Sequence, residues 1–332
     1  MRISVLLLCF ICLAANAQER PPIIDVHLHA LPVDHQGPPP VAMCTPISPP
    51  VWDQTKPYGQ VFMAMLKNPT CEDPVWSPTT ESELLSRTIA VMERGNVFGV
   101  LSGTTDLVAK WMEAAPGRFY PGLGFEIAPD TPSPETLEQL HRDGRLDVLA
   151  EITNQYRGIL PSDPRMEPYW DLAERLNIPV GIHIGNGPPG VIYLGADGYR
   201  ARMHSAFTLE EVLIRHPRLR VYIMHAGYPL IDDLLAVMYA HPQVYVGVGV
   251  IIYTQPQQAF YGFLQRIIDA GYGKRVMFGS DQMVWPETIE RSIRVIEEAP
   301  FLSDQQKRDI FYNNAARFLR LSDEEIARHH AN

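Results

Sequence analysis

The feature that most restricts the fold of this chain is an alternation. Eight short apolar, β-branched runs lie at Ile23–Ala30, Asn96–Ser102, Tyr120–Ile127, Asp147–Thr153, Pro179–Gly185, Arg220–Ala226, Val244–Ile251 and Arg275–Ser280. Between them run longer stretches with helical spacing of apolar residues, and strands joined through helices make a parallel sheet. Eight such units predict an α/β fold closed as a (β/α)8 TIM-like barrel. Helices are expected over Glu81–Arg94, Pro134–Arg142, Met166–Leu176, Leu209–His216, Leu230–Tyr239 and Gln257–Ala270, with a helical tail from Ser303. Ser303-Asp304-Gln305-Gln306 reads as a capping box, and Thr208-Leu209-Glu210-Glu211 as a similar helix start.

Two segments break the repeat. Residues 31–80 form a proline-rich insertion after the first strand, and residues 186–206, with Gly187-Pro188-Pro189-Gly190, follow the fifth. Both fall on the face where βα loops collect and where barrel enzymes place their chemistry. Trp52, Trp76 and Tyr58 of the insertion suit either a lid over an apolar ring or a small core of the insertion's own.

Met1 and Arg2, the apolar run to Ala14 and then Ala15-Asn16-Ala17 have the shape of a cleaved export leader over residues 1–17. The run is well short of the ~20 residues that span a bilayer, so the expectation is a periplasmic or secreted protein without a membrane span after processing. Residues 18–332 are then expected to form one barrel domain with the insertion over its active face. Cys44 and Cys71 are the only cysteines beyond the leader. They can pair in an oxidising compartment, or remain two small buried thiols. The formal net charge is −10, one unit more negative if Arg2 leaves with the leader. Without a basic stripe, such a chain is not expected to bind nucleic acid. A small-molecule substrate is expected, and a homo-oligomer is compatible with the sequence.

The first run ends Asp25-Val26-His27-Leu28-His29, and the two-residue period of a strand turns both imidazoles to one side. Three more polar groups end otherwise apolar runs: His183 after the fifth, His225 after the sixth and Asp281 after the eighth. Imidazole nitrogen with carboxylate oxygen is a donor set for zinc and its first-row neighbours. Asp281 beside a metal can carry a proton, and His225 can hydrogen-bond to the reacting oxygen.

These motifs, with Ile178-Pro179-Val180-Gly181-Ile182-His183, Met224-His225-Ala226-Gly227 and Phe278-Gly279-Ser280-Asp281, resemble the amidohydrolase superfamily, in its amidohydrolase-2 branch related to aminocarboxymuconate-semialdehyde decarboxylase. The resemblance spans about Ile23 to Leu319. It implies a distorted (β/α)8 barrel and one metal, usually zinc, held by His27, His29, His183 and Asp281, with His225 orienting the attacking water. Glu151, at the end of the fourth run, leaves a choice. It either supports a ligand histidine in a one-metal site, which is the favoured arrangement, or bridges two metals with His183 and His225 on the second. Glu126 on the third run could also support a histidine. Arg200, Arg202 and His204, with Tyr156 and Arg157, are candidates to bind a substrate carboxylate, though each arginine can equally pair with the acidic excess. Hydrolysis of a C–O or C–N bond in a small lactone, ester or amide is the favoured reaction. Nonoxidative decarboxylation of an unsaturated or aromatic acid is the alternative, and a ligand-capturing barrel without activity a third.

Overall fold

The computed structural model describes residues 20–331. The expected leader lies outside them. Eight parallel strands occupy Ile23–Ala30, Val97–Gly103, Phe119–Gly122, Leu149–Ile152, Val180–His183, Val221–Met224, Val244–Gly247 and Val276–Met277. The first three form one sheet in chain order and the last five another. Two seams join them. Leu123 N–H donates to the Val148 carbonyl at 3.1 Å and Ala150 N–H to the Leu123 carbonyl at 3.0 Å, while Val26 N–H donates to Phe278 at 3.0 Å and Asp281 N–H to His27 at 2.8 Å. The result is the predicted barrel.

Most strands are shorter than the apolar runs, for a physical reason. His225, Val250 and Asp281 have φ of +63°, +56° and +56°, so the backbone leaves the β region just where the polar groups appear. Such conformations cost of order 1–3 kcal/mol each and persist where surrounding packing enforces them. The ladder ends at or a few residues before those positions, and the site begins there.

Ile24, Val26, Val100, Val148, Tyr222 and Met277 share an interior cluster into which the C-terminal Tyr312, Ala315 and Phe318 pack. The last helix, Asp323–His330, starts at a capping box of Ser322 and Glu325 and ends by burying His329. That imidazole stacks on Phe98 with centroids 3.8 Å apart, and the Tyr120 and Tyr312 hydroxyls lie 3.2 and 3.0 Å from its two nitrogens. Burial, with the Arg328 charge beside it, lowers its pKa to about 4.

The expected helices are present within a residue or two, and further helices fill Thr105–Ala114 and Thr288–Glu297. The capping box at Ser303 and Gln306 forms. Thr208 does not cap its helix: a 3-10 turn over Ala206–Leu209, capped by Ser205, precedes it, and the Thr208 hydroxyl donates to the Ser205 carbonyl at 2.8 Å. The insertion has structure of its own, a helix over Tyr58–Lys67 and an antiparallel pair of Ala42–Met43 with Val75–Trp76. A Cys44–Cys71 disulfide ties the segments flanking that helix. Trp52 and Tyr58 pack against Tyr193 of the loop after the fifth strand at 4.7 and 5.9 Å, and the Tyr58 hydroxyl donates to the Pro189 carbonyl at 2.8 Å. Those aromatics clasp two loops together rather than line the space beneath, and Trp76 is 40% exposed. No helix among the described residues is long and apolar enough to cross a membrane.

Candidate metal centre

Position at the barrel mouth begins with a defect in the first strand. Its register against the second strand slips between Asp25 and Leu28, and such a bulge re-aims side chains. Asp25 fills the gap in hydrogen bonding: its buried Oδ1 accepts from His27 N–H at 2.9 Å and from Ser280 N–H at 3.0 Å. One carboxylate therefore fixes the residue that precedes Asp281 and the first histidine together. Burial raises Asp25 to about 7, against the lowering effect of the Ser280 and His27 bonds. Gln282 makes a second two-point clamp, its Oε1 accepting from His29 N–H at 2.9 Å and its Nε2 donating to the His29 carbonyl at 2.6 Å. Nothing at sequence level assigned roles to Asp25 or Gln282, although both adjoin predicted ligands.

Six polar side chains meet there in overlapping groups, His225 lying with His27 and Asp281 as well as with Glu151 and His183. His27 Nε2 and His29 Nε2 are 3.0 Å apart, and Asp281 Oδ1 is 3.6 Å from the first and 3.0 Å from the second. His183 Nδ1 and His225 Nε2 are 3.1 Å apart, and Glu151 Oε1 is 2.8 Å from the first and 3.2 Å from the second. The other Glu151 oxygen faces the first group, 3.5 Å from His27 Nε2 and 3.8 Å from His29 Nε2. Glu151 thus spans the two groups with one oxygen toward each. The favoured expectation groups His183 with His27, His29 and Asp281 and the alternative groups it with His225 and Glu151; the structure places its Nδ1 beside Glu151 and His225.

The donor set fits bound cations. His225 Nδ1 lies 2.9 Å from the Gly249 carbonyl and donates to it, so in the neutral ring Nε2 presents a lone pair toward Glu151 and His183. That orientation leaves no N–H on the neutral ring to donate to a reacting oxygen, the role expected from sequence. Imidazole nitrogens and carboxylate oxygens about 3 Å apart can share a proton or a cation, and tetrahedral ligands at ~2.0–2.1 Å from zinc would themselves stand about 3.3 Å apart. His183 Nε2 is buried with no hydrogen-bond partner, an orphaned polar atom that a bound cation would satisfy. Burial pushes Glu151 up, but the charges of His27 and His183 and the His183 and His225 hydrogen bonds outweigh it and hold the carboxyl well below its usual range. Asp281 is lowered in the same way by His27 and His29 against burial. Burial lowers His183, whereas carboxylate contacts overcome burial and raise His29 and His225.

Gly249 makes room for the cluster. A Cβ there would sit 2.8 Å from His27 Nδ1 and 3.2 Å from Asp281 Cβ. Gly249 thus supplies both clearance and the carbonyl that sets the His225 tautomer.

Above the cluster is a cavity of about 970 Å3, lined by residues of the barrel mouth and the insertion. Tyr156 and His204 line it, as does Glu126. Tyr156 stands 4.7 Å from the His183 ring, and burial together with the Glu151 charge raises its phenol well above 10, keeping it protonated. His204 has both nitrogens engaged, Nδ1 with the Tyr228 carbonyl at 3.0 Å and Nε2 with the Tyr199 hydroxyl at 2.6 Å. The three arginines are not brought to the cavity. Arg157 is exposed and pairs with Glu126 at 2.7 Å, and Arg200 donates to the Asp197 and Tyr199 carbonyls at 2.8 and 2.7 Å. Arg202 is exposed outside the lining. Glu126 is held by Arg157 and supports no ligand histidine.

A parallel barrel with histidines and carboxylates convergent at the C-terminal ends of its strands defines a class of metal-dependent barrel enzymes. Within it, this chain belongs to the amidohydrolase family, whose model matches residues 24–321, and to its amidohydrolase-2 branch. No curated protein matches this sequence. Among solved structures, an uncharacterised TIM-barrel protein from Bordetella bronchiseptica is 17% identical with a TM-score of 0.59, covering 92% of this chain and 99% of that one. A 5-carboxyvanillate decarboxylase from Sphingomonas paucimobilis is 16% identical with a TM-score of 0.55, covering 91% and 99%. A probable 2-pyrone-4,6-dicarboxylic acid hydrolase from Acinetobacter baumannii, solved with citric acid, is 14% identical with a TM-score of 0.59, covering 90% and 99%. At such identities the likeness speaks for the fold.

Proposed function

We propose that this protein is a hydrolase that adds water across a C–O or C–N bond of an ester, lactone or amide, and that its site holds two divalent ions, zinc or a first-row neighbour. The observation that carries the reading is the Glu151 carboxylate, with one oxygen facing His27 and His29 and the other facing His183 and His225. His27, His29 and Asp281 would hold one ion, His183 and His225 the other, and Glu151 would touch both. Ions so held supply a hydroxide-like nucleophile at neutral pH and polarise a carbonyl.

The chain's own groups account for the rest. Asp281 accepts the proton shed by the water and returns it to the leaving oxygen or nitrogen as the C–O or C–N bond breaks, giving an acid and an alcohol or amine. Tyr156, a protonated phenol in the cavity wall beside His183, donates to the carbonyl oxygen as negative charge grows there. The Cys44–Cys71 disulfide supports an oxidising location and, with the leader-like N-terminus, export.

The deciding experiment is metal-loaded protein offered neutral esters, lactones and amides beside aryl and unsaturated carboxylates, with acid release and carbon dioxide release followed separately. Acid release from the first set supports hydrolysis. Carbon dioxide from the second set, without acid release from the first, replaces the reading by decarboxylation.

A further inference from the structure

We infer that the substrate is uncharged away from its scissile bond and carries a bulky apolar group, an alkyl or aryl ester or amide rather than a polar or acid-bearing one. The inference rests on the hydrolytic reading and adds the substrate class. The cavity of about 970 Å3 is at the upper end of the ~300–1,000 Å3 usual for small-molecule sites, so a small lactone would leave most of it unfilled. Its wall is built from apolar side chains of separate elements, among them Met43, Ile47 and Phe62 from the insertion and Phe125, Met283 and Trp285 from the barrel.

Charge narrows the class further. No lysine or arginine lines the cavity among the described residues. Glu126 is in the wall, and its Arg157 partner is exposed and outside the lining. His204 has no nitrogen left to donate. A carboxylate remote from the cluster would meet no lysine or arginine and, besides His204, only the imidazole of His35 in the wall, and burial of a charge without a cationic partner is strongly unfavourable. The uncharged polar groups Asn186, Thr254 and Gln255 suit hydrogen bonding to a neutral molecule.

The test is a matched pair on the metal-loaded protein, phenyl butyrate against monophenyl succinate, which break the same bond and differ in a terminal methyl or carboxylate. Phenol release should give kcat/KM at least ~10-fold higher for the butyrate, and a rise from phenyl acetate to phenyl octanoate. Equal rates, or faster succinate hydrolysis, would overturn the substrate class while leaving hydrolysis standing. If no ester is turned over, titration calorimetry with the matched ketones butyrophenone and 4-oxo-4-phenylbutanoate decides the class on its own. Tighter binding of the neutral ketone supports it, and tighter or equal binding of the anion overturns it. In the wall, Phe62→Arg should narrow the ester preference toward the succinate, and an unchanged ratio in a folded variant counts against an apolar, uncharged pocket.

Discussion

At the residue scale the site depends on which atom each side chain presents. Glu151→Gln keeps the size of the side chain and removes the charge that two ions would share. We expect elemental analysis to show close to two equivalents in the parent and about one in Glu151→Gln and in His225→Asn, with hydrolysis reduced at least ~100-fold. One equivalent in the parent, unchanged in both variants, would restore a one-ion site. Tyr156→Phe should retain the parent's metal content and lower kcat by ~10- to 1,000-fold, as removal of a donor to a growing oxyanion does. Gly249→Ala tests clearance. Its methyl would press on His27 and Asp281, and overpacking of ~1–3 kcal/mol should appear as a lower Tm together with weaker metal retention. The candidate ligands were legible in sequence because each polar group interrupts an apolar run. Their grouping was left open between one ion and two, because the choice turns on where the two Glu151 oxygens point and on a carbonyl of Gly249, a residue without a side chain to notice.

At the scale of elements, strands and helices were readable because the interior demands apolar residues at fixed periods. The ends were less so, since the chain leaves the β region at His225, Val250 and Asp281 for reasons of site geometry that local propensity does not encode. The insertion was the least legible. Its proline content masked the helix Tyr58–Lys67, and the arginines after the fourth and fifth strands suggested a carboxylate site, whereas the structure leaves Arg157, Arg200 and Arg202 outside the cavity lining. Sequence left the pairing of Cys44 and Cys71 open; the fold brings them together across 27 residues. Closing a loop of that length is worth ~3–4 kcal/mol in the chain-entropy model. Alkylation without reductant should therefore leave both cysteines unmodified, and Cys44→Ser with Cys71→Ser should make the insertion more susceptible to proteolysis. Two alkylated cysteines in the parent would reject the bond.

For the whole molecule, His329 links acidity to folding. Its pKa is near 4 in the fold and ordinarily about 6.5, so between those values the unfolded chain binds the extra proton. Its contribution to stability is complete above pH 6.5 and is lost as pH falls toward 4, with a slope approaching ~1.4 kcal/mol per unit. Denaturant unfolding across that range should show the slope flattened in His329→Gln, measured against the parent at each pH. An equal slope in the two proteins would mean that the imidazole titrates alike in both states.

The Asp25 carboxylate bridges the first strand to the segment after the eighth, holding backbone from residue 27 against backbone from residue 280. A nascent chain makes its first ligands near its beginning and waits for some 250 further residues before Asp281 exists to complete the set. Closure of the barrel between its first and eighth strands therefore also completes the candidate site, and a bound ion would act as a clasp across that seam. Loading should slow unfolding far more than it speeds refolding, because the clasp can form only after the rest of the ring is in place.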